Sequence, residues 1–278
     1  MKLKIYNVVN NHFDLESDGI AQYDIAYSNY SERNKLDLYL PTIKKEKYPL
    51  VIFIHGGAFF KSNKSRHLSN ILNCLLYGYA VASIDYRLND EVTYPFIRQD
   101  CIDAFNYLAS LPEIDSHKII FWGESHGAFI ADDITITCHK DLKYPPAGVV
   151  SFYAPIDLYD YFLYKEEHNE HVVVNGREND GVTFGAEGDN LLKVLKQYSV
   201  LDKINGNEPP FFLMHGLKDE CIPFKYTEEF DAALSEKGVP HILNFVQDGL
   251  HGIDFYADPI YNAPVIDFIN RIFEGEEI

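Results

Sequence analysis

Three observations predict an α/β fold built on a mostly parallel, doubly wound sheet. Short, nearly continuous apolar runs recur along the chain: LVIFIH (50–55), YAVASI (79–84), KIIFWG (118–123), GVVSFYA (148–154) and PFFLMHG (210–216). Strands buried on both faces have this composition, as in a parallel sheet covered by helices on either side. Segments of helical periodicity alternate with these runs, which implies βαβ units with right-handed crossovers. Ahead of them, IAQYDIAY (20–27) and LDLYLP (36–41) alternate apolar and polar residues, the pattern of half-buried strands. That pair is expected to form antiparallel strands at one edge.

The helices follow from spacing. In IRQDCIDAFNYL (97–108), Ile97, Cys101, Ile102, Ala104, Phe105 and Leu108 fall on one face at a 3.6-residue period. Residues 127–138, 224–237 and 260–273 read the same way. Residues 156–198 do not fit the alternation. They run from aromatic (YDYFLY) through acidic (KEEHNEH) to a Gly- and Asn-rich stretch (NGRENDG). An insertion after a late strand sits over the strand C-termini, where ligands bind in such sheets, and long irregular loops in compact domains usually carry function. The segment is read as a cap or lid within a single domain spanning 1–278.

Composition narrows the function classes. The chain has 278 residues, 46% of them hydrophobic, and a formal net charge of −18. That charge repels phosphate backbones and anionic bilayers, so nucleic acid and membrane are not expected partners. The first residues lack the apolar core of a signal peptide, and no run is long enough to span a bilayer. Cys74, Cys101, Cys138 and Cys221 are widely spaced with no CxxC pair. A cytoplasmic protein with reduced thiols is expected.

The chemistry is concentrated in three places. Gly123-Glu124-Ser125-His126-Gly127 is a G-x-S-x-G pentapeptide between a predicted strand and a predicted helix. In that setting the motif means a sharp turn presenting a nucleophilic serine, with small residues two before and two after it. Upstream, FIHGGAFF (53–60) places His55-Gly56-Gly57-Ala58 just after a strand. It resembles the HGGG loop whose backbone N–H groups form an oxyanion hole, with alanine for the third glycine. The expected donors are the N–H groups of Gly57, Ala58 and His126. A serine hydroxyl also needs a base. Downstream of Ser125, Asp219 follows PFFLM and His251 follows the strand-like ILNFV, which completes the order Ser, Asp, His. Asp219 would orient the imidazole, and His251 would take the serine proton.

Other candidates are weaker. Glu220 would point differently from Asp219, and Asp248 and Asp254 lie too close to His251 in sequence to orient it readily. His55 is expected to order the oxyanion loop and His215 to fix a loop or pack in the core. His168 and His171 lack metal-ligand spacing, so no metal or cofactor is expected. Phe59, Phe60, Tyr159 and Phe162 are the candidate pocket walls, Phe59 and Phe60 by their place after Ala58 and the other two by their place in the lid.

With these residues in hand, the chain resembles the α/β-hydrolase superfamily, and within it the hormone-sensitive-lipase-like and acetyl-xylan- or feruloyl-esterase-like serine carboxylesterases. The resemblance runs from LDLYLP through HGGAFF, SIDYRL, GESHGAF, SFYAPIDL and MHGLKDECIP to DGLHGI. It implies a carboxylesterase acting on small short-acyl esters through an acyl-enzyme, and it implies that Asp85 and Arg87 of SIDYRL support the loops near the elbow. The chain departs from that pattern at Ala58 and at His126-Gly127-Ala128, both beside the oxyanion hole. A small-amide hydrolase on the same triad, or a non-catalytic binding module, remains an alternative, and a homodimer is left open.

Overall fold

The structure, a computed structural model, describes residues 5–9, 12–15, 20–174, 176–252 and 259–278. The strands are β1 (Ile5–Val9), β2 (His12–Leu15), β3 (Ile20–Ala26), β4 (Lys35–Leu40), β5 (Tyr48–Ile54), β6 (Ala80–Ile84), β7 (Ile114–Glu124), β8 (Gly148–Phe152), β9 (Val173–Val174), β10 (Arg177–Glu178), β11 (Phe211–Gly216) and β12 (His241–Val246). The helices are α1 (Leu68–Ile71), α2 (Tyr94–Leu108), α3 (His126–Thr137), α4 (Leu158–His168), α5 (Asn179–Phe184), α6 (Asp189–Tyr198), α7 (Lys225–Lys237) and α8 (Pro259–Glu274).

Eight strands form the main sheet in the order β12-β11-β8-β7-β5-β6-β4-β3. β5, β6, β7, β8, β11 and β12 pair in parallel. β4 runs antiparallel to β6 and β3 antiparallel to β4, so the expected edge is present. Five of the strands, β5, β6, β7, β8 and β11, carry buried apolar runs on both faces because helices cover both. One core, with Leu50, Ile52 and Ile54 of β5, packs under α2 and α3. The other, with Val51 and Phe53, packs under α8 and the chain after α1. Ion pairs hold the margins. Arg87 bonds the fully buried Asp100 of α2 through Nε and Nη2 at 2.8 and 2.6 Å.

Two features were not legible in the composition. β1 and β2 form a separate antiparallel hairpin. The 156–198 segment, irregular by composition, is largely helical. Asp157 caps α4 by accepting the N–H groups of Tyr159 and Asp160 at 3.0 and 3.1 Å. Glu178 caps α5 in the same way, and Leu191 and Leu195 bury one side of α6. Capping oxygens and a short apolar stripe suffice here because tertiary packing, rather than propensity, stabilises such short helices. Among the described residues no helix is long and apolar enough to cross a membrane. All four cysteines are unbridged.

Truncating Asp100 to alanine strands the Arg87 guanidinium in a nearly closed site, where losing one partner of a buried pair costs about 3–5 kcal/mol. Urea unfolding of Asp100→Ala is expected to show a loss of that size. A loss under about 1 kcal/mol would mean that the pair is effectively solvated.

Candidate active site

The site begins with a turn that only glycine can flank. β7 ends at Glu124 and α3 begins at His126, so the whole reversal falls on Ser125, whose φ is 52° and ψ −126°. A Cβ on Gly123 would lie 2.4 Å from the Ala128 Cα, and one on Gly127 2.2 Å from the Ile54 carbonyl oxygen. No methyl group fits either gap. The turn therefore presents the Ser125 hydroxyl at the C-terminal edge of the sheet, while its N–H is tied to the Phe152 carbonyl at 2.9 Å.

β11 and β12 deliver the other two residues to the same edge. Their following loops are locked together, with the Lys218 N–H bonded to the Gly249 carbonyl and the Leu217 N–H to that of Val246, both at 2.9 Å. Asp219 Oδ2 lies 2.7 Å from His251 Nδ1, and His251 Nε2 lies 3.2 Å from Ser125 Oγ. Burial opposes charge on Asp219. Hydrogen bonds from His215 and His251, and from the Ile222 N–H, outweigh it and hold the carboxyl well below the usual carboxylate range. An ionised carboxylate can only accept. The proton of His251 therefore sits on Nδ1, and Nε2 is free to accept the serine proton.

A second imidazole competes for that role on distance alone. His126 Nδ1 is 3.4 Å from Ser125 Oγ. Burial, and then the charges of Lys165 and His251, push its pKa down to about 3, so it is a poor proton acceptor. Its ring packs edge-on against Phe59 at 4.7 Å. Cys221, the exposed thiol at the rim, is no better as a nucleophile. Burial of its sulfur and the charges of Asp219, Glu170 and Glu220 raise its pKa, and a thiol is reactive only as thiolate.

The Gly57–Phe59 loop, the candidate for the oxyanion hole, lies across the cavity. Gly57, Ala58 and Phe59 all have positive φ, 118°, 51° and 64°. Left-handed conformations at non-glycine residues cost on the order of 1–3 kcal/mol each and persist where the surroundings over-determine them. His55 stacks on Tyr86 with ring centroids 4.4 Å apart, and Tyr86 donates its hydroxyl to the His55 carbonyl at 2.7 Å. Asp85 accepts the Lys64 N–H at 2.7 Å. Arg87 acts farther back, on α2.

The cavity around Ser125 has a volume of about 310 Å³. Gly57, Ala58, Phe60, Tyr153, Tyr161, Val172, Ile222 and His251 are among its walls. Three of the sequence-predicted wall residues lie elsewhere. Phe59 is fully buried, surrounded by Tyr94, His126, Phe129 and Phe184. The left-handed backbone at 58 and 59 turns its ring into the core and leaves Phe60 at the cavity. Tyr159 packs on the hydrophobic core, and Phe162 lines a different cavity of about 650 Å³ inside the insertion, with Leu163, Leu191 and Leu192. Helical residues step about 100° apart, so with Tyr161 facing Ser125 its neighbours on α4 cannot.

Sequence reasoning missed the buried acid beside the nucleophile. Glu124 accepts from His67 Nδ1 at 2.8 Å, from the Tyr153 hydroxyl at 3.0 Å and from the Gly56 N–H at 3.3 Å. It thus joins the elbow to the oxyanion loop. Its place inside the pentapeptide was the one available signal; nothing in the sequence links it to His67 or Tyr153. His215, expected to fix a loop, donates from Nε2 to the Ile222 carbonyl at 2.9 Å and bonds Thr227 Oγ1 through Nδ1 at 2.7 Å, while lying 3.3 Å from Asp219 Oδ2.

Two groups among the described residues bring potential metal ligands within 4.8 Å of one another: Asp219, Cys221 and His251, and His171, Glu178 and Asp180. The first is the candidate catalytic cluster with a neutral thiol. In the second, the Lys165 ammonium already pairs with Asp180.

An eight-stranded, mostly parallel sheet with a strand-turn-helix serine, and Asp and His on the loops after β11 and β12, defines an α/β-hydrolase. Solved structures agree in fold. A truncated carbohydrate esterase from gut microbiota superimposes with a TM-score of 0.77 at 22% identity, over 91% of this chain and 96% of that one. The esterase Est2 of the planctomycete Thermogutta terrifontis, with propionate bound, gives 0.70 at 20% identity over 91% and 94%. The chain belongs to the BD-FAE family, whose profile matches residues 36–234. It is 28% identical over 243 residues to the probable isoprenylcysteine alpha-carbonyl methylesterase ICMEL1 of Oryza sativa subsp. japonica, covering 82% of this chain and 56% of that protein. It is 26% identical over 261 residues to the isoprenylcysteine alpha-carbonyl methylesterase ICME of Arabidopsis thaliana, covering 88% and 60%. The chain thus spans a little over half the length of these curated relatives.

Because Asp219 is more acidic when folded, it contributes stability that is complete above the unfolded carboxylate value, about 3.9. That contribution is lost as pH falls toward the lower folded value. The stability gap between the native chain and Asp219→Asn, read from urea midpoints from about pH 5 downward, should shrink below about pH 4. A gap that widens with acid would show that Asp219 is not ionised in the fold.

Proposed function

We propose that the chain is a serine carboxylesterase acting on small, short-acyl esters. The observation that carries this is the unbroken relay from Asp219 to His251 to Ser125, at 2.7 and 3.2 Å, beside the Gly57–Ala58 loop. Ser125 Oγ attacks the ester carbonyl carbon while His251 Nε2 takes its proton. The tetrahedral oxyanion is held by the N–H groups of Gly57, Ala58 and His126. His251 then returns the proton to the departing alcohol, which leaves an acyl group on Ser125. Water, deprotonated by the same imidazole, releases the acid and restores the serine. Asp219, ionised throughout, stabilises the imidazolium at each step.

The substrate class rests on space. A cavity of about 310 Å³ is at the small end for ligand sites. The Ala58 methyl, Phe60, Tyr161 and Val172 stand around it, and residues 156–198 act as its cap, with Tyr161 and Val172 as the contact surface. The named activities of the plant relatives, methylesterases, and the propionate in the Est2 structure are consistent with a small acyl or alcohol group.

Ser125→Ala should remain folded and lose at least about 10³-fold in kcat, since the hole and binding alone retain only a residue of the rate. A fluorophosphonate probe should label Ser125 alone. Labelling at Cys221 or another serine, or near-native turnover of the variant, would overturn the assignment.

Acyl length gives a separate test. Each methylene buried in an open apolar pocket adds about 0.8 kcal/mol, roughly fourfold in kcat/KM. The rise should hold from acetate to about butyrate and then reverse as the chain meets Phe60 and the cap. Ala58→Gly should soften that reversal. A steady rise through octanoate, measured with soluble esters, would exclude the short-acyl reading.

A further inference from the structure

The insertion does more than roof the cavity: we infer that Asn179, the first residue of α5, is a positioning residue that holds the oxyanion loop in its strained form. This rests on the proposed esterase reading. Ala58 and Phe59 are consecutive non-glycine residues with φ of 51° and 64°, and each has its carbonyl oxygen caught from outside the loop. The Ala58 oxygen accepts from Asn179 Nδ2 at 2.9 Å. The Phe59 oxygen accepts from the Asn89 N–H at 2.9 Å.

The two asparagines are wired to each other. Asn89 Nδ2 donates to Asn179 Oδ1 and to Thr183 Oγ1, both at 2.8 Å. With its oxygen receiving from Asn89, Asn179 has its NH₂ group directed at Ala58. Asn89 is 7%, Asn179 3% and Thr183 0% exposed, so water does not compete for these bonds. The Asn179 N–H is anchored in turn on the carbonyl of Val172, itself part of the cavity wall, at 2.9 Å. The Phe59 ring closes the unit, edge-on to His126 at 4.7 Å and to Phe184 of α5 at 6.2 Å.

The consequence is chemical. The Ala58 N–H points at the oxyanion only while Ala58 keeps its left-handed backbone, and an L-residue leaves that conformation when released. Asn179 supplies the restraint from the cap. It touches neither Ser125 nor the ester, so its effect passes through Ala58 and is felt where negative charge develops. Removing it should lower kcat and leave KM nearly alone.

The test uses the full chain and a soluble butyrate ester, with thermal melts on every variant. Asn179→Ala and Asn179→Ser both leave the Ala58 carbonyl without its donor. Each should lose about tenfold or more in kcat, with KM within about threefold of native. In an Ala58→Gly background the same substitutions should cost under about threefold, because glycine takes positive φ without help. Thr183→Val loosens the same corner of the cap without contacting the loop, and serves as the stability comparison. Unchanged kcat in folded Asn179 variants, a rise confined to KM, or an equal loss in the Ala58→Gly background would overturn the inference while leaving the esterase reading intact. A native chain that hydrolyses no ester would overturn both.

Discussion

Gly127 sits against the carbonyl oxygens of Ile54 and His55 with no room for a methyl group; a Cβ there would stand 2.2 and 2.4 Å from them. This contact seats the first turn of α3 on the end of β5. It thereby fixes the distance between the serine turn after β7 and the HGGA loop after β5, the two parts of the chain proposed to carry the chemistry. β5 and β7 are neighbours in the sheet, paired in parallel through Ile54 and Gly123. The Ser125 hydroxyl and the proposed oxyanion donors are thus set by one backbone contact. Asp219 and His251 arrive independently, from β11 and β12 on the far side of β8.

Around that contact burial and hydrogen bonding set the candidate acids and bases apart from one another. Three histidines approach the serine or its acid. His126 is buried and made non-basic, His215 is spent on Asp219, Thr227 and Ile222, and His251 Nε2 lies nearest the Ser125 hydroxyl, at 3.2 Å. The acids divide in the same way. Glu124, with three donors, ties the elbow to the oxyanion loop, while Asp219, held ionised, fixes the tautomer of His251. Burial and partner choice, more than residue type, separate the roles.

The sheet and the strand-turn-helix around Ser125 were legible because their signals are local. Apolar runs such as LVIFIH and PFFLM mark strands buried on both faces, and the glycines around Ser125 announce a turn whose geometry allows nothing else. The walls of the cavity were not legible. Phe59 and Phe60 are adjacent and chemically alike, yet the positive φ at 58 and 59 sends one ring to the core and the other to the cavity. Tyr161 stands at the cavity while Tyr159 and Phe162 do not, because the rotation of α4 about its axis is set by what it packs on. The Asn89–Asn179 pair joins residues 90 positions apart and leaves no periodic trace. Long-range polar contacts of this kind depend on the finished fold, and a single sequence carries no signal for them.

The central claim is that acyl transfer runs through a covalent intermediate on Ser125. Methanol partitioning tests it directly. Phenyl, nitrophenyl and methyl esters of one short acid are hydrolysed in water containing a fixed, small fraction of methanol, and the ratio of methyl ester to free acid formed is measured (labelled methanol serves for the methyl ester). A shared acyl-Ser125 forgets its leaving group, so the account predicts one ratio for all three esters and no product from Ser125→Ala. A ratio that changes with the leaving group would mean that water attacks the ester directly, and would contradict the account.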